Sequence, residues 1–369
     1  MERIAKETYD GKLKKGGLDP AHIQKTYNEL HNAAQSGNKA WLKVNKATGT
    51  PSLEALKMQQ NLYWFSGAKD YTMLVDLNSR LVKEGKIQNW NAFKKEALKL
   101  NKTYNKNYLE AEWINAKQSA KQAQNWQEYQ RNKDKYKNLK YKTQGDDRVR
   151  EEHAKLNGII KPINDPFWDS YYPQNGWRCR CYVVQTNEAA WEDAAMPDIT
   201  EKDVAPEFRN NVGKTGQTFK ESTTHKGKAH PFIQFAKKNA KKNEVERLFF
   251  KLQQQKASKK LLNLKIKHPD IKTPITFTNT GIKEAFNQPH KKYGVKNMVI
   301  QYMDTLLPKA TYLGFIKIPK NNPMIVGSHI FKTVIDSVDS FIIIREVKNG
   351  ELVFYSISDS AKVVKGIKK

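Results

Sequence analysis

The sequence predicts a multidomain protein, with a mainly α N-terminal region and a C-terminal α+β domain that contains an antiparallel sheet. Apolar residues recur at helical spacing through residues 1–140, whereas strand-like segments dominate the last hundred residues. A length of 369 residues suits two or three domains. Changes in composition divide the chain into a helical segment, a main helical domain, a polar basic linker and the α+β domain, at residues 1–40, 41–185, 186–263 and 264–369.

Helical elements are indicated first by capping residues. Asp19 followed by Pro20 is typical of a helix start and Gly37 of a helix end. From Asn91 onward, apolar residues at steps of three and four predict one long amphipathic helix, the stripe being Phe93, Ala97, Leu100, Tyr104 and Tyr108.

Two further helices are predicted between these, at Ser52–Phe65 and Lys69–Lys83, closed by Gly67 and Gly85. After Thr143 prolines, glycines and aromatic residues indicate irregular structure. The predicted linker contains a charged helix near residues 245–252.

The C-terminal domain is predicted to begin with helices and to end in a meander of strands. The helices are Gly281–Phe286 and Asn297–Leu306, and the strands are Tyr312–Ile318, Ile330–Val334, Phe341–Val347 and Leu352–Ser358. Asn349-Gly350 is a strong signal for a two-residue hairpin turn. Such a turn pairs Lys348 with Glu351.

That register divides the hairpin into two faces. One face, expected to pack on the helices, carries Ile342, Ile344, Tyr355 and Ile357, with Glu346 near the turn. The other carries Phe341, Ile343, Arg345, Phe354, Ser356 and Ser358.

The sequence argues against a membrane protein and against a small secreted protein held together by disulfides. No apolar run of 18 residues is present, so no membrane span is expected, and the N-terminus lacks the apolar core of a signal peptide. Two cysteines are too few for a disulfide scaffold.

The chain is strongly basic, with a net charge of +27. A positive potential of this size attracts polyanions, so nucleic acid is an expected partner. The basic residues cluster at Arg131–Lys142 and from Lys237 to Lys260. The alternative interpretation is a solvated, lysine-rich surface without a specific partner.

Three residues have the chemistry of metal ligands. His153, Cys179 and Cys181 could bind a structural zinc ion, with Asp165 or Asp169 as a fourth ligand. A disulfide between residues two positions apart would be strained. The competing interpretation is a hydrogen-bonded core histidine beside buried thiols. Ion pairs are expected between Arg148, Arg150, Arg178, Arg180 and the acids Asp146, Asp147, Glu151, Asp169.

The same region resembles a known family. Several spaced elements occur in one order: a charged run that ends at His153, then Gly158, Asp165-Pro166-Phe167-Trp168, Pro173-Gln174-Asn175-Gly176 and Cys179-Arg180-Cys181. This pattern resembles the MuF-like phage head morphogenesis (minor head protein) family, and the resemblance covers about residues 40–185. The resemblance implies a minor capsid protein near the portal, located in the phage head and in the host cytoplasm during assembly, with portal and capsid proteins as partners.

The C-terminal domain resembles, more distantly, the phage-borne barnase/EndoU/colicin/RelE-like RNases, in Thr276-x-Thr278, His290, His329, Arg345-Glu346 and Tyr355–Asp359. That resemblance implies RNA cleavage that requires no metal or other cofactor. The expected site has His290 and His329 as acid and base, with Arg345, Ser356 and Ser358 binding phosphate.

Each of these residues also has a structural interpretation. His329 could simply pack in its strand, His290 could be an exposed turn residue, and the serines could be edge-strand polar positions. Two hypotheses for the domain therefore stand: an RNase effector, and a basic module that binds nucleic acid or a partner protein without catalysis.

Overall fold

The computed structural model describes residues 1–200, 203–220, 239–317 and 324–367, with backbone alone for residues 239 and 240. They form two compact units, Met1–Trp41 with Lys57–Glu246, and Leu42–Leu56 with Arg247–Lys369. The predicted multidomain class, helical first and α+β second, is confirmed. No helix among the described residues is long and apolar enough to cross a membrane.

The first unit is built mainly from long helices. They are α1 (Glu2–Tyr9), α2 (Pro20–Gly37), α3 (Leu53–Ser79, which starts in the second unit), α4 (Trp90–Lys102) and α5 (Leu109–Arg131). Helix α2 starts where the sequence predicts, because the Asp19 carboxylate accepts hydrogen bonds from the backbone N–H groups of Ala21 and His22 at 3.1 and 3.4 Å.

The predicted amphipathic helix is present but changes its winding. A π-helical turn, Thr103–Tyr108, joins α4 to α5. Phe93 and Tyr104 lie in the core, whereas Tyr108 is 42% exposed. The wider turn rotates the residues that follow it out of the predicted apolar stripe.

The prediction of two helices divided at Gly67 is wrong, because α3 runs through it. Gly67 is required by packing: a Cβ there would lie 2.6 Å from both methyl carbons of Val245. Val245 belongs to helix α9 (Asn239–Leu261), which is much longer than the predicted helix in the linker.

Small elements complete the first unit. The segment after Thr143, predicted to be irregular, supplies two strands of a three-stranded antiparallel sheet, which has the order β4 (Ile160–Pro162), β3 (Asn138–Lys142), β5 (Tyr182–Thr186). The other small elements are β1 (Val82–Lys83), β2 (Lys86–Ile87), α6 (Glu151–Ala154), α7 (Phe167–Tyr171) and α8 (Val212–Thr215).

Residues 203–220 of the predicted linker pack into the first unit. Phe219 stacks on Phe65 with ring centroids 3.7 Å apart, and its backbone N–H and C=O both bond the Asn61 side chain. Val204 and Phe208 join the core cluster around Trp168. Residues 203–220 are therefore part of this folded unit.

The second unit contains a six-stranded mixed sheet in the order β6-β7-β11-β10-β9-β8. Its strands are β6 (Lys265–His268), β7 (Ile271–Thr276), β8 (Thr311–Lys317), β9 (Ile325–Ile335), β10 (Val338–Val347) and β11 (Leu352–Ser358). Its short helices are α10 (Asn279–Asn287), α11 (Tyr293–Val299) and α12 (Met303–Leu306). Strands β6 and β7 were not predicted from the sequence. Strand β7 pairs with β11 in parallel.

The hairpin turn is longer than predicted. Val347 and Glu351 flank a three-residue turn, so Glu346 pairs with Leu352. A bulge at Tyr355 then restores the predicted pairing of Ile343 with Ser356. Because of this shift, Phe354 rather than Tyr355 occupies the buried face, where it pairs with Ile344.

A buried lysine closes the end of α10. Lys296 is fully buried, and its Nζ donates hydrogen bonds to the carbonyl oxygens of Ala285 and Gln288 at 2.5 and 2.8 Å. These carbonyls would otherwise lack partners at the helix end, so Lys296 stabilises the first helix that follows β7. Burial lowers the pKa of Lys296 to about 7.

The contact at Gly67 can be tested by a double-mutant cycle. We expect Gly67→Ala to destabilise the first unit by about 1–3 kcal/mol, because the new methyl group overlaps Val245. In a Val245→Ala background the same change should cost much less, since both methyl groups at 2.6 Å are gone and only the Cβ at 3.1 Å remains. All eight tryptophans lie in the first unit, so denaturant unfolding followed by tryptophan fluorescence reports on it. Equal costs of Gly67→Ala in both backgrounds would contradict this packing.

Candidate functional site

The structure brings the three predicted metal ligands together in the first unit. His153 lies in α6, and Cys179 and Cys181 lie in the loop that precedes β5. The Nδ1 atom of His153 is 3.7 Å from Sγ of Cys179 and 3.9 Å from Sγ of Cys181. All three side chains are buried, and both cysteines are free thiols.

The backbone of the preceding loop fixes the histidine. Nε2 of His153 lies 3.2 Å from the carbonyl oxygen of Asn175. A carbonyl only accepts, so Nε2 is the donor in this contact and Nδ1 is the ring nitrogen that faces the two sulfurs. Gly176 permits this approach, because a Cβ there would lie 2.8 Å from Arg150 and 3.4 Å from the His153 ring.

The loop itself is held by buried aromatic residues. The Tyr141 hydroxyl donates to Oδ1 of Asn175 at 2.8 Å, and the Tyr172 hydroxyl donates to the carbonyl of Gln122 at 2.9 Å. Trp168 is fully buried beside them and donates from Nε1 to the Pro162 carbonyl. The site is therefore an extension of the core of this unit.

The predicted fourth ligand is wrong, because neither aspartate joins the cluster. Asp165 accepts a hydrogen bond from the backbone of Phe167 at 2.8 Å, and Asp169 pairs with Lys214. Among the residues that the structure describes, the group of possible metal ligands contains only His153, Cys179 and Cys181.

A cavity of about 310 Å³ opens beside the cluster. Its lining includes the three candidate ligands and the guanidinium-bearing residues Arg148, Arg150, Arg178 and Arg180. Hydrogen bonding between the two thiols lowers the pKa of Cys179 and raises that of Cys181. The arrangement combines one histidine and two cysteine sulfurs with four arginine residues along the cavity.

The ion pairs around this cavity differ in part from those predicted. Asp146 forms a bidentate salt bridge with Arg180, with N–O distances of 2.6 and 2.7 Å. It also contacts Arg148 at 3.3 Å, and both pairs are among those predicted from the sequence. The Arg180 hydrogen bonds lower the pKa of Asp146 well below its ordinary value. Arg178 pairs instead with Glu110, and Arg150 donates to the carbonyl of Trp177.

In the second unit, His290 has a structural environment. Its Nδ1 accepts from the backbone N–H of Lys292 at 2.9 Å, and its Nε2 lies 3.0 Å from the Ser340 hydroxyl oxygen. That hydroxyl donates onward to the Val338 carbonyl. His290 is buried rather than the exposed turn residue of the structural alternative, and it bridges a turn to β10.

His329 has different neighbours. Its Nδ1 lies 2.9 Å from the Tyr312 hydroxyl, and its Nε2 lies 3.2 Å from Oε2 of Glu346. It pairs with Ile344, four residues along β10 from Ser340, a separation of about 13 Å. The two histidines therefore do not meet at one phosphate-sized site.

The predicted phosphate-binding residues lie on the opposite face of the sheet from His329. Arg345 pairs with Ser328 and Val353, and Ser356 and Ser358 pair with Ile343 and Phe341 on the same face. The Arg345 guanidinium stacks 3.1 Å from the centre of the Tyr355 ring. Ser356 is only 1% exposed, so its hydroxyl is not available to a ligand in this structure.

Comparisons with known proteins bear on the first unit most directly. Residues 80–184 match the family described as Phage Mu protein F like protein. We call residues 80–184 the Mu F-like segment, after the family that they resemble. It contains the long helix from α4 to α5, the small sheet and all three residues of the His-Cys-Cys cluster, and it supports the resemblance given by the Cys-Arg-Cys motif.

Two phage proteins are similar to parts of the chain. A stretch of 63 residues is 36% identical to the putative capsid assembly protein F of Escherichia phage Mu and covers 17% of this chain and 14% of that protein. A stretch of 89 residues is 30% identical to the Mu-like prophage FluMu F protein of Haemophilus influenzae, and covers 20% of this chain and 22% of that protein. The similarity thus spans less than a quarter of either relative.

The second unit matches a different family. Residues 251–355 match Large polyvalent protein-associated domain 3, a description that names no enzymatic activity. The search of solved structures found no significant match.

The environment of His290 predicts a pH-dependent stability of the second unit. Burial, with a contribution from Lys296, lowers the pKa of His290 below 6.5, while Asp359 opposes the shift. The unfolded chain then binds the proton more readily, so stability should fall as pH falls from 6.5 through the lowered pKa. Hydrogen exchange of Val338–Val347, corrected for intrinsic rates, should show weaker protection at about pH 5.5 than at about pH 7, and His290→Gln should reduce this difference. The same pH dependence in both proteins would exclude His290 as its source.

Proposed function

We propose that this protein is a phage capsid-assembly component that acts through its Mu F-like segment. The observation that carries the proposal is the match of residues 80–184 to the Mu F-like family, together with the two relatives named for phage Mu and a Mu-like prophage. Its proposed partners are portal and capsid proteins, and its proposed locations are the phage head and the host cytoplasm during assembly.

The chemistry of the first unit is consistent with a structural role. A hydrophobic core around Trp168 and Tyr141 is formed largely by residues of the Mu F-like segment. Arg131, Lys133, Lys135 and Lys137, at the turn from α5 into β3, are exposed. Such a cluster favours an anionic surface as the contact, either a partner protein or packaged nucleic acid.

For the second unit, we propose binding rather than catalysis. The RNase hypothesis needs His290, His329, Arg345 and a hydroxyl at one phosphate. Their separation along β10 and across the sheet gives this hypothesis no support. The proposal for this unit is a basic module that contacts nucleic acid or another head protein.

Head assembly is tested by co-expression with the portal and major capsid proteins of the same phage or prophage. We expect the full chain to co-sediment with the assembled particles. Trp168→Ala should abolish incorporation, because it opens a cavity in the core of the Mu F-like segment and destabilises it by about 3–5 kcal/mol. His329→Ala, in the second unit, is the matched control and should leave incorporation unchanged. Particles that form and lack the wild-type chain would overturn the proposal.

The catalytic alternative is tested separately. The full chain is incubated with RNA in the presence of EDTA, and the RNA is expected to remain intact because the predicted acid and base are apart. Cleavage that persists in EDTA and is lost in both His290→Ala and His329→Ala would contradict our assignment and restore the RNase hypothesis.

A further inference from the structure

The geometry of the His-Cys-Cys cluster points to a site that neither family description assigns. We propose that His153, Cys179 and Cys181 bind one Zn²⁺ ion, and that the fourth coordination position is open to a carboxylate that enters through the arginine-lined cavity. The proposal rests on the first unit alone and does not depend on a role in head assembly.

The spacing of the donor atoms fits a tetrahedral ion. With ordinary Zn–N and Zn–S bonds, tetrahedral geometry sets the nitrogen and sulfur atoms about 3.6 Å apart. The observed separations from Nδ1 of His153 are 3.7 Å to Cys179 and 3.9 Å to Cys181. All three donor atoms lie within 4.8 Å of one another, so one ion can reach them after a contraction of the cluster.

The histidine is already oriented for coordination. Its Nε2–H donates to the Asn175 carbonyl, which leaves Nδ1 as the donor facing the thiols. Zinc-bound histidines commonly show this arrangement, in which the second ring nitrogen bonds a carbonyl or carboxylate.

The fourth ligand has to come from elsewhere. No additional histidine, cysteine or carboxylate joins the cluster among the described residues, and the cavity opens on the side of the ligands. Three protein ligands with one open position is the arrangement in which zinc accepts an external ligand.

The charge of the cavity selects the class of that ligand. Zn²⁺ with two thiolates and a neutral histidine has no net charge. Four arginine residues line the cavity, and the carboxylates paired with them in the described structure are Asp146 and Glu110. The excess of positive charge favours an anion. A carboxylate can bond zinc through one oxygen and a guanidinium through the other, and Asp and Glu are protein zinc ligands beside Cys and His.

The metal is tested on the reduced, metal-free full chain with Co²⁺ as a spectroscopic probe. We expect thiolate-to-cobalt absorption and intense visible bands of a tetrahedral ion, saturating at about one equivalent. Cys179→Ser and Cys181→Ser should each remove the thiolate absorption or shift it. Absence of binding at one equivalent in the wild-type chain would overturn the proposal.

Because the cysteines are core residues, an unmutated control is included. The chain has only two cysteines, so every thiol measured belongs to this site. With Zn²⁺ bound, both thiols should react with a thiol reagent more slowly than after EDTA treatment, because coordination occupies the sulfur atoms of these two buried cysteines. Reactivity that is identical with and without Zn²⁺ would contradict metal binding without depending on a variant.

The open position is tested by adding acetate, phosphate or methylammonium to the cobalt-loaded chain. Acetate should shift the visible bands, and methylammonium should not. Arg148→Gln changes an exposed cavity residue, so it should retain cobalt but require roughly two- to fivefold more acetate for the same shift. A response to phosphate alone would overturn the carboxylate assignment, and no response to either anion would show that the position is closed.

Discussion

The hydrogen bond from His153 to the carbonyl of Asn175 is the contact on which the arrangement of the first unit's site depends. It joins the short helix α6 to the loop that carries both cysteines, and it sets which nitrogen faces the sulfurs. The loop can accept this bond because Gly176 leaves room for the ring and because Tyr141 holds the Asn175 side chain. The aromatic core, the loop and the cluster are thus parts of one packed structure.

The second unit uses its polar groups differently. Lys296 satisfies the carbonyls at the end of α10, and His290 links a turn to β10 through Ser340. Both groups are buried, and each is explained by the backbone or side-chain partners that it bonds. His329 lies between Tyr312 and Glu346 on one face of the sheet, whereas Arg345 stacks on Tyr355 on the other. His290, His329 and Arg345 were predicted to be catalytic from the sequence, but in the structure each of them contacts other residues of the second unit.

Local signals in the sequence predicted local structure well, and contacts between distant segments were the part it could not supply. The Asp19-Pro20 cap and the apolar stripe up to Tyr104 depend on neighbouring residues, and both appear as expected. Gly67 looked like a helix end because its packing partner, Val245, lies far away in sequence. Residues 203–220 looked like a linker because their few apolar side chains, such as Phe219, show no period. In the hairpin, the longer turn and the bulge at Tyr355 offset one another, which no pattern of alternation reveals.

For the candidate site, the candidate ligands could be predicted from the sequence, whereas their proximity results from the packing of the core. His153 and the two cysteines were identified from their chemistry, whereas the roles of Asp165 and Asp169 depended on which way short elements turn. X-ray absorption at the zinc edge on the full chain tests the central claim most directly. The account predicts a shell of two sulfurs at about 2.3 Å with one imidazole nitrogen and one oxygen at about 2.0–2.2 Å. A zinc ion surrounded only by nitrogen and oxygen would contradict it.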